Sequence, residues 1–327
     1  MGLLSILIVL SGVYVGWAMG ANDAANCMGT AVGARVRTLR EAVVLVSVFA
    51  FLGSIILGGR VIKTIGKGIV PLDRIDSPIA TRIALAAMLA AGTWMVLATA
   101  LRLPVSATHS SVGAVAGAGL ASGSVPIMWN KFADIFLAWL LTPLGGAILG
   151  MIIYKILLRW LADSKFYNER LIRILLTLSG IYMAFSWGAN DVANATGPIV
   201  GSGVLTSGQA AIIGGAAIAL GVAGWGYKVM ETIGSGITNL GPLMAFAAEA
   251  AAAANVHLYT MWGIPVSTSH AIVGAVFGVG LVNGAAAINK RTVRDIVLAW
   301  AATPVASGVV AYVIYLLMNQ VLVALGM

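Results

Sequence analysis

Long apolar runs set the rhythm of this chain, in place of the period-two alternation of a strand or the narrow stripe of a surface helix. Ten can be marked: Leu3–Met19, Glu41–Gly59, Ile79–Leu101, Ser110–Ala121 and Ile127–Leu158, then Leu171–Gly188, Gln209–Tyr227, Leu240–Trp262, His270–Asn283 and Arg291–Met318. A helix crossing the bilayer core needs about 20 apolar residues, so the pattern predicts an all-α integral membrane protein. The fourth and ninth runs are too short to cross comfortably, and the fifth and tenth are too long for one straight crossing. No Lys or Arg precedes Arg35. The first run therefore lacks the basic flank of a signal peptide and is expected to stay as a spanning helix.

The irregular runs match because the chain repeats itself. Gly20-Ala21-Asn22-Asp23-Ala24-Ala25-Asn26 returns as Gly188-Ala189-Asn190-Asp191-Val192-Ala193-Asn194, and Thr64-Ile65-Gly66 returns at the same offset as Thr232-Ile233-Gly234. Pro104-Val105-Ser106-Ala107-Thr108-His109 returns at a shorter offset as Pro265-Val266-Ser267-Thr268-Ser269-His270. Asp134, Trp139 and Thr142-Pro143 keep that second offset as Asp295, Trp300 and Thr303-Pro304. The polar stretch Pro71–Pro78 accounts for the change of register. The expected organisation is a first repeat over 1–160, a short linker over 161–170 and a second repeat over 171–327. Five segments per copy is an odd number, so the second copy should enter the membrane from the opposite side. Two inverted-topology repeats with interrupted or re-entrant helices meeting near the midplane form a transporter architecture.

Composition agrees with the pattern. The chain is 60% hydrophobic and 9% charged, against about 25% charged in soluble domains, so it cannot cover itself with a solvated surface. Its net charge of +8 would suggest nucleic acid in a soluble protein, but no basic helix or aromatic-basic cluster is present. The positive charge reads instead as topology, because Lys and Arg collect in cytoplasmic loops. With the N-terminus outside and one crossing per run, thirteen of the 19 Lys and Arg fall inside. Arg60, Lys63, Lys67, Arg74, Arg82 and Lys131 remain outside. Both termini are thus expected outside a cell membrane, with the central loop cytoplasmic. The single cysteine, Cys27, excludes a disulfide framework and a Cys-based zinc site.

Two constellations carry chemistry. Asp23 and Asp191 each follow an apolar run, flanked by Asn22 and Asn190 and with Asn26 and Asn194 three residues on, on the same helical face. A carboxylate at membrane depth needs a partner or a cavity, and carboxylate and amide oxygens are hard ligands for a small cation. The plainer alternative is a helix cap at the interface. The second constellation is the pair of hydroxyl-rich turns, Ser106, Thr108 and Ser110 in one copy and Ser267, Thr268 and Ser269 in the other. Each opens a helix, whose N-terminal N–H groups and dipole favour an anion, and the hydroxyls add donors for a tetrahedral oxyanion. Ordinary Ser/Thr capping is the alternative there. Glu249, alone in Ala-rich sequence, is an accessory candidate by virtue of its depth. His109 and His270 cannot complete a zinc site without carboxylates and read as hydrogen-bonded structural residues. Pro143 and Pro304 are expected to kink the long segments and free the carbonyls of Trp139 and Trp300.

With both copies of GANDxAN and with PVSATH and PVSTSH behind them, the sequence resembles the inorganic phosphate transporter (PiT) family over nearly its whole length. The resemblance implies a symporter of inorganic phosphate coupled to sodium, or in some members to protons or as metal-phosphate, with inverted repeats and a homodimeric assembly in the lipid bilayer. It implies that Asp23, Asn26, Asp191 and Asn194 belong to cation sites and the hydroxyl turns to the phosphate site, with Thr64, Glu231 and Thr232 accessory. Glu231-Thr232-Ile233 has the acidic form of its motif, whereas the first copy reads Lys63-Thr64-Ile65, which leaves the number of coupling ions open. No cofactor beyond sodium or protons is implied, and no enzymatic activity. Sulfate is the alternative substrate within the family. From other classes come an anion channel and an intramembrane hydrolase using Asp and His. No GxxxxGK[ST] loop occurs, which disfavours ATP-driven pumping.

Overall fold

The computed structural model describes residues 3–33, 35–100, 105–124, 126–161, 168–226, 240–282, 284 and 290–324. The described residues are helical throughout, without strands. In chain order the helices are α1 (Leu3–Asp23), α2 (Ala25–Gly33), α3 (Leu39–Leu57), α4 (Gly59–Lys67), α5 (Ser77–Ala100), α6 (Ala107–Ser122), α7 (Trp129–Trp160), α8 (Glu169–Gly201), α9 (Ser207–Gly221), α10 (Pro242–Met261), α11 (Thr268–Val282) and α12 (Lys290–Ala324). Among the described residues, seven helical stretches are long and apolar enough to cross a membrane. Many large apolar side chains on them face outward, such as Leu10, Ile56, Leu144, Leu178 and Val309. They suit lipid contact. The chain is a multi-pass membrane protein.

Local sequence sets several boundaries. α3 and α9 open on the same capping box: Thr38 N–H donates to Glu41 and Glu41 N–H to Thr38 Oγ, and Thr206 and Gln209 repeat the exchange. These residues occupy equivalent places in the two repeats. Ser106 caps α6, and Gly123 ends it in the left-handed conformation, φ 61°, where a side chain would be strained. At 16 and 15 residues, α6 and α11 reach only about 24 and 22 Å at 1.5 Å per residue, short of a bilayer core of about 30 Å. α7 and α12, with 32 and 35 residues, exceed it, and each contains its proline without ending there.

The two repeats do not form separate bodies; equivalent helices exchange partners. α1 packs on α9 while α3 packs on α8, and α6 packs on α12 while α11 packs on α7. Glycines permit the approach. A Cβ on Gly113 would overlap the backbone of Pro304, and one on Gly117 the backbone of Gly308. The equivalent pair in the other half meets at Gly274 on Pro143 and Gly278 on Ala147. Gly20 lies against the carbonyl of Ile218, and Gly188 against that of Ala50. One two-fold relation therefore governs both seams, as inverted repeats require.

Two sequence expectations need correction. Asp23 does end α1, at a turn through Ala24, but Asp191 does not end a helix: α8 runs on to Gly201. Its side chain is tied within the helix, since Trp187 Nε1 donates to Asp191 Oδ2 at 3.1 Å, at the i, i+4 spacing that brings side chains together. Met19 stands at the equivalent place before Asp23 and offers no such donor. The helices of the fourth and ninth runs, α6 and α11, also begin earlier than expected, at Ala107 and Thr268, inside the hydroxyl turns themselves.

Gly274→Val and Gly113→Val are expected to destabilise the folded protein by at least about 1–3 kcal/mol through overpacking. Gly208, with open space around a Cβ, serves as the control. Thermal unfolding in detergent should show a large drop for the first two and little change for Gly208→Ala.

Candidate functional site

The site is built where the first turns of α6 and α11 meet α1 and α8. Thr108 Oγ donates to Val266 O at 2.9 Å, which brings the two hydroxyl turns edge to edge. Ser106 and Ser267 serve as helix caps, each accepting from the backbone N–H of the histidine three residues on at 3.2 Å. Their hydroxyl hydrogens stay available to donate. Two helix N-termini, each a positive dipole end, thus converge on one place.

The asparagines cross from repeat to repeat. Asn194 Nδ2 donates to Thr108 Oγ at 3.1 Å, and Asn26 Nδ2 donates to Ser269 Oγ at 3.1 Å. Thr108 and Ser269 hold equivalent places, so the two bonds are the same contact seen from opposite sides. Asn26 also reaches Asp23 Oδ1, at 3.4 Å. Asp191 accepts from Trp187. Asp191 Oδ1 and Asn194 Oδ1 are buried with no hydrogen-bond partner. Two unpartnered oxygens on adjacent turns of one helix, one of them from a carboxylate, are of a kind that could hold a small hard cation.

Other expected residues fall one step back. Asn22 Nδ2 donates to Thr99 Oγ at 2.5 Å and Asn190 Nδ2 to Thr260 Oγ at 2.9 Å, again equivalent pairs. Asn190 also donates to Ile264 O at 3.2 Å and accepts from Val266 N at 3.1 Å, so its amide is spent fastening the second turn. Ser110 turns away, donating to Ala91 O of α5 at 3.3 Å. Thr64 donates to Gly263 O at 2.7 Å, supporting the approach to the second turn from outside the cluster. Glu249 bonds Thr30 of α2 and, at 2.7 Å, Ser179 of α8. Met88 stands at its equivalent place, so this buried carboxyl belongs to one half alone. Glu231 and Thr232 lie outside the described residues, as do 162–167 of the expected linker.

Residues that sequence reasoning passed over also shape the site. Ser111 Oγ donates to Asn194 O at 3.1 Å; that carbonyl lacks its helical partner because Pro198 stands four residues on. Trp187 was detectable from its i−4 spacing to Asp191. Ser111 was not, because its partner lies on another helix. The Nδ1 atoms of His109 and His270 approach the carbonyls of Trp300 and Trp139 at 3.0 and 3.2 Å. The Nε2 atoms are buried without a hydrogen-bond partner, so neither imidazole is bonded to a neighbouring serine hydroxyl.

The two halves are not equally enclosed. Asn190, Asp191, Asn194, Thr108 and Thr268 are buried, whereas Asn22, Asn26, Thr30 and Ser269 are only half-buried. The cluster therefore opens along the α2 side.

Residues 19–168 and 162–311 each match the model of the phosphate transporter family. The chain belongs to the phosphate transporter family. The members are carriers rather than enzymes, and the duplicated match repeats the duplication seen in the helices. A candidate phosphate permease of Pyrococcus furiosus is 34% identical over 95% of each chain. The chloroplastic inorganic phosphate transporter 2-1 of Arabidopsis thaliana is 30% identical over 92% of this chain and 70% of its own. A solved structure of a sodium-dependent phosphate transporter superimposes with a TM-score of 0.89 at 29% identity, covering 98% of this chain and all of the other. In this member of the family, helices from both repeats enclose the cluster just described.

Asn190→Ala removes three bonds and strands the Val266 N–H, whereas among the described residues Asn22→Ala removes one, to Thr99. The expected cost is about 1–3 kcal/mol for the first, as for an orphaned buried donor, and less for the second. Unfolding midpoints of the two variants in the same detergent check the order.

Proposed function

We propose that this transporter carries inorganic phosphate across the cell membrane by symport with sodium. Asp23 with Asn26 and Asp191 with Asn194 supply the cation ligands, and the paired hydroxyl turns receive the phosphate. The observation that carries the reading is the division of labour within Asn194: its nitrogen holds Thr108 of the opposite repeat, and its oxygen is unpartnered beside Asp191 Oδ1. One planar amide thus faces a cation with its negative end and an anion-binding turn with its positive end. A sodium ion drawn to the oxygens fixes that amide and the turn hydroxyl it bonds. Cation binding prepares the anion site, and the bound anion in turn offsets the cation's charge. In the other half Asn26 Nδ2 likewise holds Ser269 of the opposite repeat, and the same nitrogen also donates to Asp23 Oδ1.

Phosphate near neutral pH carries a proton that sulfate lacks. A site containing acceptors such as Asp23, Asp191 and the turn hydroxyls gains a bond from that proton, while sulfate leaves the acceptor unpaired, a difference that reaches about 10⁴-fold in sites built for a donor. Phosphate is therefore the substrate, and arsenate its effective competitor. Glu249, bonded to Thr30 and Ser179, is an accessory carboxyl one helical turn beyond Asn26. The repeats 1–160 and 171–327, joined by 161–170, lie in a bilayer with both termini outside and the joint cytoplasmic, and two chains form a homodimer.

In proteoliposomes, an imposed sodium gradient should drive uphill phosphate uptake, with arsenate inhibiting strongly and sulfate weakly. Asp23→Asn or Asp191→Asn should abolish uphill uptake in a folded protein, since an amide keeps the shape but not the charge. Uptake at the wild-type rate by either variant, or equal uptake under a proton gradient without sodium, would remove the assignment. For orientation, Glu169→Cys in a Cys27→Ser background should be labelled from the cytoplasmic side only. Labelling of intact cells by an impermeant thiol reagent would reverse the topology.

A further inference from the structure

The proposed transport chemistry leaves two conspicuous side chains unused. His109 and His270 are the third residues of α6 and α11, and only 4% and 3% of their surfaces are exposed. Pro304 and Pro143 have no N–H to give the carbonyl four residues back, which frees Trp300 O and Trp139 O. His109 Nδ1 lies 3.0 Å from the first and His270 Nδ1 3.2 Å from the second. A carbonyl can only accept, so Nδ1 carries the proton in both rings.

Each ring also rests on the other long helix. His109 lies over the Trp139 indole at 3.8 Å and His270 over that of Trp300 at 3.6 Å, while the imidazoles meet each other at 4.5 Å and 82°. Each histidine thus bonds to the long helix of the other repeat and stacks on that of its own. The seams beneath keep the same step of four residues: His109, Gly113 and Gly117 face Trp300, Pro304 and Gly308, and His270, Gly274 and Gly278 face Trp139, Pro143 and Ala147.

We propose that His109 and His270 are positioning residues that hold the two hydroxyl turns in register with each other. The inference rests on the reading of those turns as the phosphate site. Each imidazole joins its turn to α7, to α12 and to the other imidazole, so neither turn shifts along its seam without breaking a bond to a carbonyl that has no substitute donor. Ser106 and Ser267, which cap the backbone N–H of these same histidines, are carried by the rings.

The test compares donors. Asn places an amide nitrogen where Nδ1 stands, whereas Leu fills the space without a donor. His109→Leu and His270→Leu are expected to raise the KM for phosphate about tenfold per folded transporter, as loss of a buried bond implies, and Asn at either position should recover most of it. A lowered yield of folded protein at unchanged KM would make the histidines purely structural and overturn the proposal. Should the Leu variants not fold, the doubles His109→Leu/Pro304→Ala and His270→Leu/Pro143→Ala supply the carbonyl with a helical N–H. They are expected to recover folding but keep the raised KM, because the turn stays unfastened. Return of KM to the wild-type value in the doubles would show that the carbonyl alone mattered, and the proposal falls. Thr108→Val and Ser269→Ala, measured alongside, separate the two levels. If they raise KM and the Leu variants do not, only the positioning role is lost. If they leave KM unchanged, the phosphate assignment fails and takes the positioning role with it.

Discussion

A proline inside a membrane helix leaves one carbonyl without its partner, and in hydrocarbon no water replaces it. Three such carbonyls, at Trp139, Asn194 and Trp300, each meet a side chain from the short helices α6 and α11: His270, Ser111 and His109. The prolines are therefore attachment points. Because the donors sit within the first five residues of the short helices, satisfying the backbone of the long helices fixes where the short helices begin. That in turn fixes where their unpaired N–H groups converge. The polar cluster occupies its place because the surrounding backbone would otherwise carry orphaned carbonyls worth several kcal/mol each.

Much of this was legible in the sequence, for identifiable reasons. Duplication doubled every signal, so the motifs around Asp23 and Asp191 and around the two hydroxyl turns could be found by comparing the chain with itself. Helix type followed from run length, and the short α6 and α11 from their interruption by polar turns. What failed were expectations that depend on a side chain's partner, on the same helix or another. Asp191 sits within α8 because Trp187 satisfies it there, and Ser110 is absent from the cluster because α5 lies on its side of α6. Asn190 is fully engaged by the backbone around Ile264 and Val266, a detail that side-chain chemistry alone could not separate from cation ligation. Exchange of helices between repeats was also invisible, since no sequence period distinguishes a repeat that packs on itself from one that packs on its copy.

The halves have diverged where function requires difference. Trp187 stands opposite Met19, Pro198 opposite Thr30, and Glu249 opposite Met88. Burial differs as well: Asn194 and Thr108 are hidden where Asn26 and Ser269 are half-open. The two-fold relation holds for the bonds of Asn194 to Thr108 and of Asn26 to Ser269, and it is broken in their exposure.

The exchange of donors between repeats has a consequence for how such a chain could arise. Neither half can satisfy its own prolines: the carbonyl at Trp139 is met from the second half, and that at Trp300 from the first. A half-length polypeptide inserted alone would leave its proline carbonyl bare in lipid and its imidazole without an acceptor. Two identical halves lying antiparallel would cure both defects at once. A half-length chain would thus need to enter the membrane in both orientations, and joining two halves end to end would fix that antiparallel pair in a single molecule.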